Sequence, residues 1–400
     1  MADGPDPIEL QITLGALHAA CREMGAVLIR SAHSSNIKER RDASTALFDA
    51  DGQMVMQAEH IPVHLGAMPA AVAAVAAEQQ REGISWILNN PYAGGTHLPD
   101  ITVVSPVYAQ GSLIGFSACR AHHADVGARR PGSMPADSRT LAEEGVVIDP
   151  QVLDDAAIAR LTARMRQSEE RRADLRAQLA ANNVGARRLH ELAERIGVRR
   201  LRESTDAVLD YGERRTRECL RELGTLELAA SDVLEAREGD LRLDLRAMTQ
   251  DGHLTLGNER FTYYETLGGG QGACADADGP SGVHVAMSNT LNTPIEALER
   301  EFPLHVARYE LRRGSGGEGR HRGGDGVVRE VRALEEMSFS LIAERRRHAP
   351  AGADGGAPGA CGRDLLDGHP LPGKATGTLA RGQSLRIETP GGGGFGDGGH

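Results

Sequence analysis

Apolar residues at Ile8, Ile12, Leu14, Leu17, Cys21, Met24 and Leu28 recur at helical spacing and predict a first helix over residues 8–32. The period then shortens. Residues 44–48 and 54–57 read as two strands joined by the turn Asp49-Ala50-Asp51-Gly52. The Ala- and Val-rich stretch 67–81 predicts a buried helix, and ITVVSPVYAQGSLIGFSACRA (101–121) predicts a hairpin turning at Gln110-Gly111. Helical spacing returns over 151–224: Leu153, Ile158, Leu161, Met165; then Leu175, Leu179; then Leu189, Leu192, Ile196; then Val208, Leu209, Cys219, Leu220, Leu223. This predicts three or four amphipathic helices with breaks near Gly185 and Gly197. Beyond 225 the chain reads as strands and turns, with a strand at Leu241–Leu245.

The pattern predicts an α+β protein of several domains, with mixed sheets, a helical arm and no predictable strand order. The expected division is an N-terminal α+β domain (1–150), an amphipathic helical arm (151–224) and a glycine-rich, β-containing C-terminal domain (225–400). Arginine dominates the arm, but interspersed Glu and Asp make it a solvated or subunit-contact surface, not a nucleic-acid interface.

Composition narrows the class. The 400 residues carry a net charge of −11, against a nucleic-acid or membrane-surface role. Cys21, Cys119, Cys219, Cys274 and Cys361 show no CxxC spacing, which fits free thiols in a reducing compartment. The start MADGPDPIEL lacks a basic leader, and no apolar run approaches the ~20 residues of a membrane span, so the expectation is a cytoplasmic, soluble protein. Aromatic residues make up 3% and glycines number 49, so the core must be mostly aliphatic and turns many.

Candidate chemistry concentrates in residues 89–147. His97 and Asp100 sit three apart in the turn GGTHLPD, where Pro99 favours a loop over a helix. His122, His123 and Asp125 follow the predicted hairpin, whose closure would bring the two clusters face to face at one edge of a sheet. Imidazole and carboxylate together suit zinc, manganese or iron. The plainer alternative is a turn-capping His97 and a buried, hydrogen-bonded His-His pair. Lys38, Glu39, Arg40, Asp42, Glu59, His60 and His64 crowd the first two strands; most read as a solvated face, with His60 and His64 as exceptions. Cys119 reads as a strand residue.

Glycine clusters at 268–272, at GSGGEGRHRGGDG and in the tail PGGGGFGDGGH lack the Walker Lys and Ser/Thr, so they read as turns and a flexible end, with no ATP site. No G-x-S-x-G elbow is present.

The segments SNIKERRDASTALFDADGQMVMQAEHIPVHLGAMP, NNPYAGGTHLPDITVVSPVY, RAHHADVGARRPGSMP, YYETLGGGQGA, SGVHVAMSNTLNTPIE, YELRRGSGGEGRHRGGDGVVRE and IETPGGGGFGD together resemble the hydantoinase B/oxoprolinase family. That family comprises the beta-type subunits of ATP-dependent hydantoinases and oxoprolinases and is related to acetone carboxylase alpha subunits. The resemblance implies ring opening of cyclic amides such as hydantoins or 5-oxoproline, on a carbonyl activated by a hydantoinase A-type partner that binds the ATP. It also implies a divalent metal held, as in the carboxylase branch, by His97, Asp100 and His122; the mechanism expected from these residues has His123 or Asp125, beside the ligands, moving a proton. Ketone carboxylation and a non-catalytic scaffold are the alternatives. One departure is large: the long central segment of the family pattern is missing near 246–256, and TLGN (255–258) resembles its tail.

Overall fold

The computed structural model describes residues 7–59, 61–223, 230–235, 239–245, 252–257, 262–285, 288 and 290–398. His60 and much of the proposed junction near 246–256 lie outside the described residues, as does the side chain of Cys219. The chain forms two compact units, one of Met1–Val126 with Val146–Glu227 and the other of Gly127–Gly145 with Leu228–His400. This division differs from the one drawn on sequence. The helices after residue 150 belong to the first unit, and a loop of nineteen residues from the N-terminal half belongs to the second.

The first unit begins with helix α1 (Pro7–Ser31) and the short α2 (Ser35–Lys38). Strands β1 (Ala43–Phe48) and β2 (Met54–Glu59), helix α3 (Val63–Ala76), and strands β3 (Trp86–Leu88), β4 (Asp100–Ala109), β5 (Ser112–His122) and β6 (Gln151–Val152) follow. Helices α4 (Asp155–Thr162), α5 (Ser168–Ile196) and α6 (Val198–Leu223) complete it. The strands form one antiparallel sheet in the order β2-β1-β5-β4-β3-β6. The predicted hairpin is present: Gln110 (φ 52°) and Gly111 (φ 75°) both take the left-handed conformation that a two-residue hairpin turn requires.

Both faces of the sheet are covered, so its central strands are buried along nearly their whole length instead of alternating between buried and exposed positions. Ala46, Phe48, Val104, Phe116 and Ala118 pack with Met68, Val72 and Val75 of α3 on one face. On the other face, Thr45 Oγ1 donates to the Cys21 carbonyl of α1 (2.8 Å), and Cys119 Sγ approaches the Gln178 carbonyl of α5 (3.5 Å). By length and composition, α1 could cross a membrane. In the fold it is a core helix, with Leu17, Cys21, Met24 and Leu28 buried.

Helix α5 exposes Arg176, Arg187 and Arg188, as expected of a solvated face, but its other side packs on the sheet. Asp174, Gln178 and Asn182, spaced by four, are fully buried. Asp174 Oδ1 accepts from the backbone N–H groups of His33 and Ser34, Gln178 donates to the Ile101 carbonyl, and Asn182 donates to the Val103 carbonyl. The polar stripe of this helix therefore faces the sheet and serves its backbone, which a hydrophobicity pattern reads as outward. Gly185 is no break either. It lies inside α5, where a Cβ would sit 2.3 Å from Ser117 Oγ and 2.5 Å from Met24 Sδ, so its missing side chain lets three elements approach. The break falls at Gly197 (φ 86°).

The second unit holds strands β7 (Ala230–Leu234), β8 (Leu241–Leu245), β9 (Gly252–Gly257) and β10 (Thr262–Leu267) and helix α7 (Ile295–Glu301). Strands β11 (Leu304–Arg312), β12 (Gly326–Ala333), β13 (Met337–Ile342), β14 (Arg363–Leu366), β15 (His369–Leu371), β16 (Lys374–Leu379) and β17 (Ser384–Glu388) follow. They form sheets β10-β9-β13-β16 and β11-β12-β17-β14-β15 and the hairpin β7-β8. Tyr263, Phe302, Leu304, Phe339, Leu341 and Ile387 belong to its core.

Beside these sheets lies the main surprise of the unit. The glycine-rich stretches near 270, 316–324, 352–359 and 390–396 run against one another and hydrogen-bond backbone to backbone. Gly270 N–H donates to Pro390 O (2.9 Å), Gly392 N–H to Gly324 O (2.9 Å), Gly317 N–H to Gly392 O (2.8 Å) and Gly394 N–H to Ala357 O (2.9 Å). A Cβ on Gly392 would lie 1.9 Å from the Gln271 carbonyl oxygen. The tail expected to be flexible is thus buried over 391–394, and only glycine fits there.

Candidate metal centre

The site lies at one end of the first unit's sheet, on the face covered by α3. Asp100 opens β4 and His122 closes β5, and the two are paired in register. Strand alternation puts Thr102, Arg120, Val104 and Ala118 on the same face. His97 comes from the loop before β4, His64 from the start of α3, and Asp42 from the residue before β1, where its carbonyl accepts from His122 N–H (3.0 Å).

The ligand-capable atoms of His97, Asp100 and His122 lie within 4.8 Å of one another, and so do those of Asp42, His64 and Asp100. Asp100 is the shared member. Its Oδ2 is 3.1 Å from His97 Nδ1 and 3.5 Å from His64 Nε2, and it accepts from Thr96 Oγ1 (2.5 Å). Its Oδ1 is buried without a hydrogen-bond partner. The His97 and His122 rings are 4.9 Å apart. Asp42, His64, Asp100 and His122 are buried; His97, with 37% of its side chain exposed, forms the mouth.

Electrostatics follow from this crowding. Burial opposes charge on Asp100, but His97 and His64 outweigh it and hold the carboxyl well below the usual carboxylate range. Burial also opposes charge on His97, yet Asp100 beside it raises the imidazole's pKa; its partial exposure makes the Asp100 contact the dominant influence. Burial pushes the Asp42 carboxyl up to about 6, against the pull of Arg40.

The donor set fits a divalent cation. Ser44 Oγ lies 3.0 Å from His64 Nδ1 and orients that ring. His64 Nε2 then stands 3.5 Å from Asp100 Oδ2, and Asp100 Oδ1 is buried without a hydrogen-bond partner, so imidazole and carboxylate offer donors to one ion. Asn36, fully buried, meets His122 Nδ1 at 3.1 Å and orients that ring. Asn89, also fully buried, fixes the loop by donating to the Leu98 and Val146 carbonyls (2.8 and 2.9 Å) and accepting from Ile148 N–H (2.7 Å).

The structure therefore brings together His97, Asp100 and His122 and adds His64 and Asp42. It does not bring in His123 or Asp125. One residue past His122, His123 turns to the opposite face of the sheet, where Nε2 meets Gln178 Oε1 (2.9 Å) and burial lowers its pKa. Asp125 accepts from the backbone N–H and guanidinium of Arg166, both at 3.2 Å, and is fully buried. Both are packing residues behind the site, which corrects the proton-transfer role expected for them. Of the polar residues expected on a solvated face, Arg40 and Asp42 are buried, and so is His64, which was expected to be an exception. Asn36 carried no signal in the sequence beyond its closeness to Lys38 and Glu39, and Asn89 none beyond its place before the GGTHLPD turn.

A family model, hydantoinase B/oxoprolinase, matches residues 6–258 and again 246–398. The chain belongs to the hydantoinase B/oxoprolinase family. An uncharacterized protein of Methanocaldococcus jannaschii is 30% identical, covering 98% of this chain and 91% of its own length. The 5-oxoprolinase 1 of Arabidopsis thaliana is also 30% identical over 98% of this chain, which spans only 42% of that protein. These alignments run to 511 and 532 positions against a chain of 400 residues, so over a hundred positions have no counterpart here. The two family matches meet at 246–258. The ATP-dependent caprolactamase of Pseudomonas jessenii shares the fold, with a TM-score of 0.85 over 98% of this chain and 91% of that one, at 23% identity.

Proposed function

We propose that the cluster of His97, Asp100 and His122, with Asp42 and His64 beside it, holds a divalent metal. We read the chain as the metal-bearing subunit of an ATP-dependent cyclic-amide hydrolase working with a hydantoinase A-type subunit that binds the ATP. The observation that carries this reading is the convergence of buried carboxylates and imidazoles on Asp100, whose Oδ1 is buried with no hydrogen-bond partner. The donors suit zinc, manganese or iron.

The chain's own residues have definable tasks. Asp100 stays ionised and presents Oδ1 to the ion. Asn36 orients the His122 ring, and the Ser44 hydroxyl orients that of His64. Asn89 and Thr96 hold the loop so that His97 stands at the mouth. A bound divalent ion would supply a Lewis acid able to polarise a substrate carbonyl or lower the pKa of a water.

Elemental analysis of the purified chain tests the first half, beside a His97→Ala/Asp100→Ala variant; near-stoichiometric metal lost in the variant is expected. Ring-opening assays on hydantoin and 5-oxoproline with partner and ATP test the second half. Failure of every cyclic amide in a metal-loaded complex would overturn it. The span of over a hundred unmatched positions favours one other reading, a shortened scaffold subunit. Complex formation with activity indifferent to His97→Ala would select that reading.

A further inference from the structure

Arg120 is fully buried on the site face of β5, two residues before His122. Its Nε donates to Thr102 Oγ1 (2.7 Å) and its Nη2 to the Gly94 carbonyl (2.9 Å). Its Nη1 is buried with no hydrogen-bond partner, and among the described residues no carboxylate lies within ion-pair distance. Burial lowers the pKa of this guanidinium, with Asp100 acting against that from further off. Two polar neighbours thus fix the plane of the guanidinium and leave one edge unused.

The charges of the site explain what that edge is for. Arg40 acts electrostatically on Asp42, and Arg120 on Asp100. Among the described residues, two buried carboxylates are already balanced by two buried guanidiniums, and imidazoles that ligate a metal are neutral. A divalent ion in the proposed centre leaves two positive charges in excess in a buried pocket. Excess charge of that kind is strongly unfavourable without a counter-ion. The half-exposed segment 91–97, ending at His97, is the side from which one can enter.

We infer that Arg120 is the anion-receiving residue of this site, its Nη1 donating to an oxygen of a phosphate or carboxylate group carried by the ligand. A guanidinium suits this because its planar fork matches either oxyanion. The inference rests on the metal reading above and narrows it: the ligand of the loaded centre is anionic.

The test uses the full chain loaded with Mn²⁺ or Zn²⁺, titrated calorimetrically with inorganic phosphate in one arm and acetate in the other. Metal content is measured on the same samples, and each titration is repeated without metal. Saturable binding is expected, weakened at least about tenfold in Arg120→Gln, the loss of one charged hydrogen bond, at unchanged metal content. Arg120→Lys should fall between, and it carries the test if circular dichroism shows Arg120→Gln unfolded. Tighter phosphate than acetate identifies a phosphoryl group, and the reverse a carboxylate. Equal affinities in wild type and Arg120→Gln, or no saturation by either anion, overturn the inference. Metal bound without anion sinks the inference alone; Arg120-dependent anion binding without metal uptake sinks the metal reading alone.

Discussion

Asp100 and His122 face each other on the last rung of the β4–β5 ladder, so one backbone register places both side chains in the same site. A shift of that register by one residue would turn His122 away and His123 inward. The site is therefore as rigid as the sheet that carries it.

The Asn36–His122 contact has a measurable share in that rigidity. Asn36→Ala should weaken metal affinity about 10- to 100-fold while leaving the fold intact, because it frees the ring without removing a ligand. Competition with a chromogenic chelator measures the affinity. Unchanged affinity would assign Asn36 to packing alone.

Gly185→Ala should destabilise the first unit by about 1–3 kcal/mol, since its Cβ collides with Ser117 and Met24. Gly15→Ala, in α1 with nothing within 4 Å of the new Cβ, should instead be neutral or stabilising by up to about 1 kcal/mol. Denaturant titration of both variants reads the contrast directly.

In the second unit, Asp325 Oδ1 accepts from Ser315 N–H and Gly316 N–H (both 2.9 Å) and from Arg322 (3.0 Å). Burial would raise its pKa, but these donors hold it below the ordinary value. A depressed folded pKa gives stability that is full above the unfolded value of about 3.9 and is lost as pH falls through the folded one. Asp325→Asn should cost about 1.5–3 kcal/mol at pH 7 and lessen the acid sensitivity below about pH 4. Equilibrium unfolding from pH 3 to 7 checks it, and parallel curves for variant and wild type would refute it.

Backbone collisions should cost more than side-chain ones. Gly392→Ala places a Cβ 1.9 Å from a carbonyl oxygen that no rotamer change can move, so a loss above about 4 kcal/mol is expected. Proteolysis confined to the second unit would report it.

The sequence made the hairpin legible because its turn residues and strand pattern agree, and the hairpin sufficed to bring His97 and Asp100 to His122. His64 stood out as a histidine in a Pro-Gly loop. His123 and Asp125 misled because adjacency in sequence is not adjacency in space on a strand. The face of α5 misled because Asp174, Gln178 and Asn182 serve backbone carbonyls and amides inside the fold, and a polarity pattern cannot distinguish that from contact with water. The glycine tail misled because glycine marks both freedom and close approach.

That tail has a spectroscopic consequence. Its amides are tied to neighbouring segments of the same chain, yet the segments near 270, 316–324, 352–359 and 390–396 lie outside helix and strand. Circular dichroism would count them as coil, while deuterium exchange would find many of their amides among the slow ones. Order in this half of the molecule is therefore better gauged by exchange rates than by ellipticity.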